Sequence, residues 1–159
     1  IIKQLFRVYK MRFKKMAINL KAQCLYHNNK YDLISISKYL DIHILISYKF
    51  NESVTVIDNF IYINDQIEKS KEYYLEFAKA ISKIYLISKN KNYNEDNLEE
   101  FALELNIGEK ELKHLYEIYR NYPDLSLFSN YFNLPESIII KELNKLNLKT
   151  LMIKDSNYE

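Results

Sequence analysis

Between residues 2 and 25, Ile2, Leu5, Phe6, Tyr9, Phe13, Met16, Leu20 and Cys24 recur at intervals of three and four. That interval keeps side chains on one face of an α-helix, and most basic residues of the stretch fall off the stripe, so a long amphipathic helix is predicted. HNNKYD breaks it, and LISISKYLDI (33–42) reads as a short second helix. The period then changes to two: Ile44, Ile46 and Tyr48 alternate with Leu45, Ser47 and Lys49, a strand signal over 43–50. SVTVIDNFIYIND (53–65) reads as two strands joined at a hairpin turn, Asp58-Asn59.

A second long helical pattern covers about 67–88. Near its middle, where the apolar stripe should be richest, Lys79 and Lys83 stand four apart and share a face. The same spacing serves a metal-binding histidine pair, but charged ammonium groups cannot ligate zinc. After the polar break KNKNYNED, a helix over about 95–106 is capped by Asn94 or Asp96. Gly108 ends or bends it, and EKELKHLYEIYR (109–120) continues as another helix. NYPD is a turn. Asp124 caps LSLFSNYF, and Pro135 opens NLPESIIIKELNKLNL, giving two short helices joined at Asn133-Leu134 in a helix-turn-helix-like tail.

Composition narrows the chemistry. A chain of 159 residues, 48% hydrophobic, is enough for one compact core. One glycine and two prolines leave no way to write a Gly-rich phosphate loop. The single Cys24 excludes an internal disulfide and points to the reducing cytoplasm. No apolar run approaches the ~18 residues that span a bilayer, and no signal peptide is legible. The chain opens on Ile1, so a trimmed chain is expected, with Met11 and Met16 as internal candidate starts.

The net charge of +2 conceals an asymmetry. Residues 1–31 hold eight basic residues and no acidic one, whereas the other 128 hold 15 basic and 21 acidic. Lys3, Arg7, Lys10, Lys14 and Lys21 therefore form a candidate basic patch, suited to nucleic acid, an anionic membrane surface or an acidic partner. A solvated face on an ordinary core helix explains the same residues. His27, His43 and His114 lie on three different predicted elements, and the Glu111/His114 half-site has no second half, so no metal ligand set emerges. Cys24, on the first apolar stripe, reads as a small core residue. The last helix offers Glu136, Lys141, Glu142, Asn144 and Lys145, a mixed set poorly suited to reading DNA bases.

Over about residues 30–148 the order of elements resembles the ImmA/IrrE family of small bacterial and phage zinc peptidases. In that family the long helix after the hairpin carries AHELGH; the same slot here reads Ala78-Lys79-Ala80-Ile81-Ser82-Lys83. The family's next helix, E-x-x-A-x-x-F-A-x-x-L, is matched by Glu95, Phe101-Ala102 and Leu105, with Leu98 in place of the alanine. The tail LSLFSNYFNLPESIIIKELNKLNL is similar to the family's closing pattern. The resemblance implies that Lys79 and Lys83 stand where two zinc ligands belong, Ala80 where the general base belongs, and Glu95 where the third ligand belongs. On that alignment the chain is a metallopeptidase fold without metal, cofactor or catalytic residue. A lysine pairing with Glu95 in the vacated site is then expected, because an unpaired buried charge is costly. Two solvent-facing lysines on an ordinary helix are the simpler alternative.

The expected fold is α+β: mainly helical, with a small antiparallel sheet of about three strands and a helix-turn-helix-like C-terminal subdomain. The expected divisions are a basic amphipathic helix (1–30), a degenerate peptidase-like core (31–122) and the tail (123–159). Family members commonly act on helix-turn-helix repressors, so the resemblance implies contact with such a repressor from a phage or mobile element, without cleavage. A nucleic-acid-binding protein using the basic first helix is the alternative, and an active zinc peptidase whose site lies elsewhere is a further one.

Overall fold

The structure, a computed structural model, describes residues 2–28, 32–67, 70–121 and 123–148, with the side chains of the first helix described from Arg12 to His27. The element order is α1 (Ile2–Asn28), α2 (Leu33–Tyr39), β1 (His43–Ile46), β2 (Val54–Ile57), β3 (Phe60–Ile63), α3 (Lys71–Ser88), α4 (Glu95–Asn106), α5 (Glu109–Ile118), α6 (Leu125–Phe132) and α7 (Glu136–Lys145). The architecture is mainly helical α+β. Among the described residues no helix is long and apolar enough to cross a membrane.

The chain divides into two compact units, Ile1–Gly108 and Glu109–Glu159. This differs from the divisions expected at 30/31 and 122/123. α1 is not a separate domain: Phe13, Ala17, Leu20 and Cys24 are buried in one core with Ile36, Ile61, Phe77, Ile81, Leu98 and Phe101. An amphipathic helix is stable only when its apolar stripe is covered, and α4 and α2 cover this one.

The three strands are present, but the sheet is mixed rather than antiparallel. Its order is β1-β3-β2, with β2 antiparallel to β3 and β1 parallel to it. Side-chain alternation is the same in both pairings, so the period-two signal carried no information about the direction of β1. Ile61 and Ile63 of β3, opposite Val56 and Val54 of β2, turn toward the core. Asp58 turns the β2–β3 hairpin with φ 54°.

A chain with one glycine needs other residues where helices end in the left-handed region. Asp41, Asn90, Asn133 and Asn147 supply them, each at a φ between 50° and 57°, beyond α2, α3, α6 and α7 respectively. The amide of the residue after each donates back to a carbonyl in the last helical turn, as Ile42 does to Ser37 at 2.9 Å and Leu134 to Ser129 at 3.1 Å. Asn and Asp tolerate this conformation because their short side chains bond locally.

In the second unit α6 and α7 pack together across the connection Asn133-Leu134-Pro135. Asp124 caps α6 by accepting from the Ser126 amide at 2.9 Å. Phe128, Phe132, Leu134, Ile139 and Leu143 are buried, and the Ser129 hydroxyl donates to the Leu134 carbonyl at 2.6 Å. On α7, Glu136, Lys141, Asn144 and Lys145 are exposed, and Lys145 is paired with Glu142.

Candidate functional site

α3 and α4 bring the four residues of interest together. α3 is 18 residues without glycine or proline, and its buried set includes Phe77, Ala78, Ala80, Ile81 and Ser82. Lys79 falls within that stretch and Lys83 follows it, one turn apart. α4 begins with a reciprocal cap: Asn94 accepts from the Asn97 amide at 2.9 Å, and Asn97 accepts from the Asn94 amide at 3.2 Å. The cap fixes Glu95 at the first helical position, where a carboxylate faces unpaired amides and the positive end of the helix dipole.

Lys79 Nζ lies 3.3 Å from Glu95 Oε1 and 3.7 Å from Glu76 Oε1. The Lys79 side chain is 19% exposed and that of Glu95 is 73% exposed, so the lysine stem is covered while its partner stays in water. Lys83 is exposed and makes no ion pair among the described residues. Ala80 is buried.

All four residues line one cavity of about 310 Å³. β2 contributes Val54, Thr55 and Val56, preceded by Glu52, while α3 contributes Glu76, Lys79, Ala80 and Lys83, and α4 contributes Glu95 and Leu98. Three carboxylates and two ammonium groups make this a polar, charged recess. The residues legible in the sequence were Lys79, Ala80, Lys83 and Glu95. Glu52, Thr55 and Glu76 join them through the fold: the hairpin lays β2 beside α3, which no local pattern announces. Glu76 alone had a signal, its i, i+3 spacing to Lys79.

The residues present do not fit zinc. A catalytic zinc needs three neutral or anionic donors and an adjacent base. The two positions one turn apart hold ammonium groups, and the position between them holds a methyl. Among the described residues no group of three or more His, Cys, Asp or Glu side chains is arranged to hold a metal ion. His27 stacks on Tyr39 (ring centroids 5.4 Å apart) and His43 on Phe60 (5.0 Å), both on the first unit, whereas His114 is exposed on α5. Cys24 is fully buried in the core.

Of the candidate basic patch, Lys21 is not on the surface. Lys21 is 7% exposed, and its Nζ donates to the Glu104 carbonyl of α4 at 3.0 Å. It belongs to the buried stripe, since 17, 20, 21 and 24 are the i, i+3, i+4 and i+7 positions of one helix face. Arg12 and Lys15 are exposed and Lys14 is half-buried. The side chains of Lys3, Arg7 and Lys10 lie outside the described residues.

A second cavity, about 440 Å³, is lined by Leu33, Ile34, Tyr73, Tyr74, Phe77 and Leu105, with Asp32 and Asn106 beside them. Burial pushes the Tyr73 phenol above its ordinary value, with Tyr74 adding to the effect. The cavity is apolar and aromatic and holds none of the residues singled out in the sequence.

In comparisons with known proteins, no family model, no curated protein and no solved structure matches this chain.

Proposed function

We propose that the chain is a non-catalytic relative of the ImmA/IrrE peptidases that acts by contact with a protein partner, a helix-turn-helix repressor of a phage or mobile element. The observation that carries this reading is the Lys79–Glu95 ion pair inside the cavity lined by Ala80 and Lys83. In the resembled family those four positions hold zinc and the general base. Here a salt bridge takes the place of the metal, and Ala80 has no proton to move.

A recess without chemistry still has a surface for binding. Among the described residues β2 is an edge strand, and the Asn64 amide donates to the Ser53 carbonyl at 3.1 Å. By antiparallel alternation the Val54 and Val56 amides and carbonyls then face the open edge along the cavity. An extended segment of a partner is held there by main-chain hydrogen bonds, with its basic or acidic side chains meeting Glu52, Glu76 and Lys83. Binding without cleavage sequesters the regulator.

The test is incubation with purified helix-turn-helix repressors encoded in the same genome. The expected result is a complex in which the repressor stays full length and its operator affinity changes. No complex with any regulator and no change in operator affinity would overturn the partner assignment. Cleavage of the repressor would overturn the non-catalytic assignment.

A further inference from the structure

The cavity of about 440 Å³ lined by α2, α3 and the end of α4 lies wholly within the first unit. Its deepest residues are apolar or aromatic: Tyr73 is 7% exposed, Phe77 3% and Leu105 4%. Leu33, Tyr74 and Asn106 are half-buried, while Asp32 and Ile34 are exposed. Small-molecule sites occupy roughly 300–1,000 Å³ and combine a mostly apolar lining with a few placed polar groups. This cavity has that size and that composition.

Its charge and its rings both favour a cation. Asp32 is the one charged residue among the described lining residues, none of which is Lys, Arg or His. Its Oδ1 accepts from the Ser35 amide at 2.8 Å, which holds the carboxylate at the start of α2. Asn106 Nδ2 donates to the Tyr74 carbonyl at 3.2 Å. That bond turns the nitrogen end of the carboxamide to α3 and leaves its oxygen as an acceptor with no donor among the described residues. Tyr73 and Tyr74 meet at 81° with centroids 5.2 Å apart, and Tyr73 and Phe77 lie at 15° with centroids 6.1 Å apart. Rings in two nearly perpendicular orientations offer electron-rich faces on more than one side, as the aromatic cages for methylated ammonium groups do.

We infer that this cavity binds a small organic cation, an N-methylated ammonium compound with an apolar body. The head is held by the Asp32 carboxylate, the Asn106 oxygen and the Tyr74 ring, and the body covers Leu33, Phe77 and Leu105. A primary ammonium is a compact, strongly hydrated charge and fits this lining less well. A methylated one sheds water at lower cost and meets the rings by cation–π attraction. An anion meets the Asp32 charge with no lining cation to offset it. None of these residues belongs to the recess at Lys79 and Glu95, so the inference stands independently of the proposed contact with a repressor.

The experiment is an NMR titration of the isotope-labelled full chain with para-substituted probes of one shape. They are (hydroxymethyl)phenyltrimethylammonium, its uncharged carbon isostere tert-butylbenzyl alcohol, and the anion tert-butylbenzoate. Each is added up to about 5 mM, so that millimolar binding is detected. The cation should shift the amides of Leu33, Ile34, Tyr74 and Asn106. It should bind about tenfold tighter than the isostere, with the anion weakest. Asp32→Asn removes the charge and keeps the helix cap, because Asn caps as well as Asp. It should weaken the cation several-fold and leave the isostere unchanged. Tyr74→Leu should also weaken the cation more than the isostere. Far-UV circular dichroism checks that both variants fold; should either fail, the probes on the unmodified chain decide alone. No shift at these residues, or equal affinity for cation and isostere, overturns the inference. So does an unchanged affinity for the cation in folded Asp32→Asn.

Discussion

Lys79 and Glu95 join the middle of α3 to the first turn of α4 through a 3.3 Å contact between Nζ and Oε1. The pair bridges two helices whose packing forms much of the first unit's core, yet its carboxylate stands mostly in water. Geometry and solvent pull in different directions, and the solvent wins. An exposed pair gains little because water already stabilises both charges and the long side chains lose freedom.

The double-mutant cycle of Lys79→Met and Glu95→Gln should therefore give a small coupling energy, about 0.2–1 kcal/mol by urea unfolding, falling further as salt is added. A coupling of several kcal/mol would mean that the pair is shielded from water, contrary to the exposure of Glu95.

Lys21 should behave in the opposite way. Lys21→Ala removes a buried donor from the Glu104 carbonyl and leaves space under α1, so a loss of about 1–3 kcal/mol in unfolding free energy is expected. Lys21→Gln should leave the salt dependence of any duplex DNA binding unchanged. Replacing Lys3, Arg7, Lys10 and Lys14 with Gln should flatten it if the first helix contacts phosphate. Absence of duplex binding at low salt removes the nucleic-acid alternative.

Tyr73 and Tyr85 make stability depend on alkaline pH. Burial raises both phenols above the ordinary value of 10.0, with Tyr74 and Tyr39 respectively adding to the effect. The folded chain then keeps its phenolic protons at a pH where the unfolded chain loses them. The stabilisation is fully present below pH 10 and is lost as pH rises through the folded-state values. Urea midpoints measured from pH 8 to 11.5 should fall above about pH 10, and Tyr73→Phe should make the fall shallower. A midpoint independent of pH across that interval would show that the phenols are as well solvated folded as unfolded.

Local chemistry determined what the sequence disclosed. The spacing of Leu98, Phe101, Ala102 and Leu105, with Asn94 before it, located α4, because cap and stripe are both encoded within a dozen residues. Asp58-Asn59 located the hairpin for the same reason. The direction of β1 was not legible, since pairing partners distant in sequence decide it. Lys21 was read as surface because of its charge, although its position on the stripe placed it inside. Gly108 looked like a bend and Pro123 like a boundary, yet the units part after Gly108. Of the cavity, the α3 and α4 residues were visible as a spacing. Glu52 and Thr55 were not, because only the folded hairpin brings β2 to α3.

Zinc uptake tests most directly the proposal that Lys79, Ala80 and Lys83 replace a metal site. After equilibration with a small excess of zinc and removal of free metal, the unmodified chain should retain none. The triple variant Lys79→His, Ala80→Glu, Lys83→His should retain about one zinc per chain. Its imidazoles share one face of α3, and Glu95 stands across the cavity as a third ligand, with a fourth position open to water. Peptidase activity is not expected to appear, because outer groups that orient ligands and substrate need more than three substitutions. Stoichiometric zinc in the unmodified chain, or equal uptake by both proteins, would contradict the proposal that the Lys79–Glu95 pair stands in place of a metal.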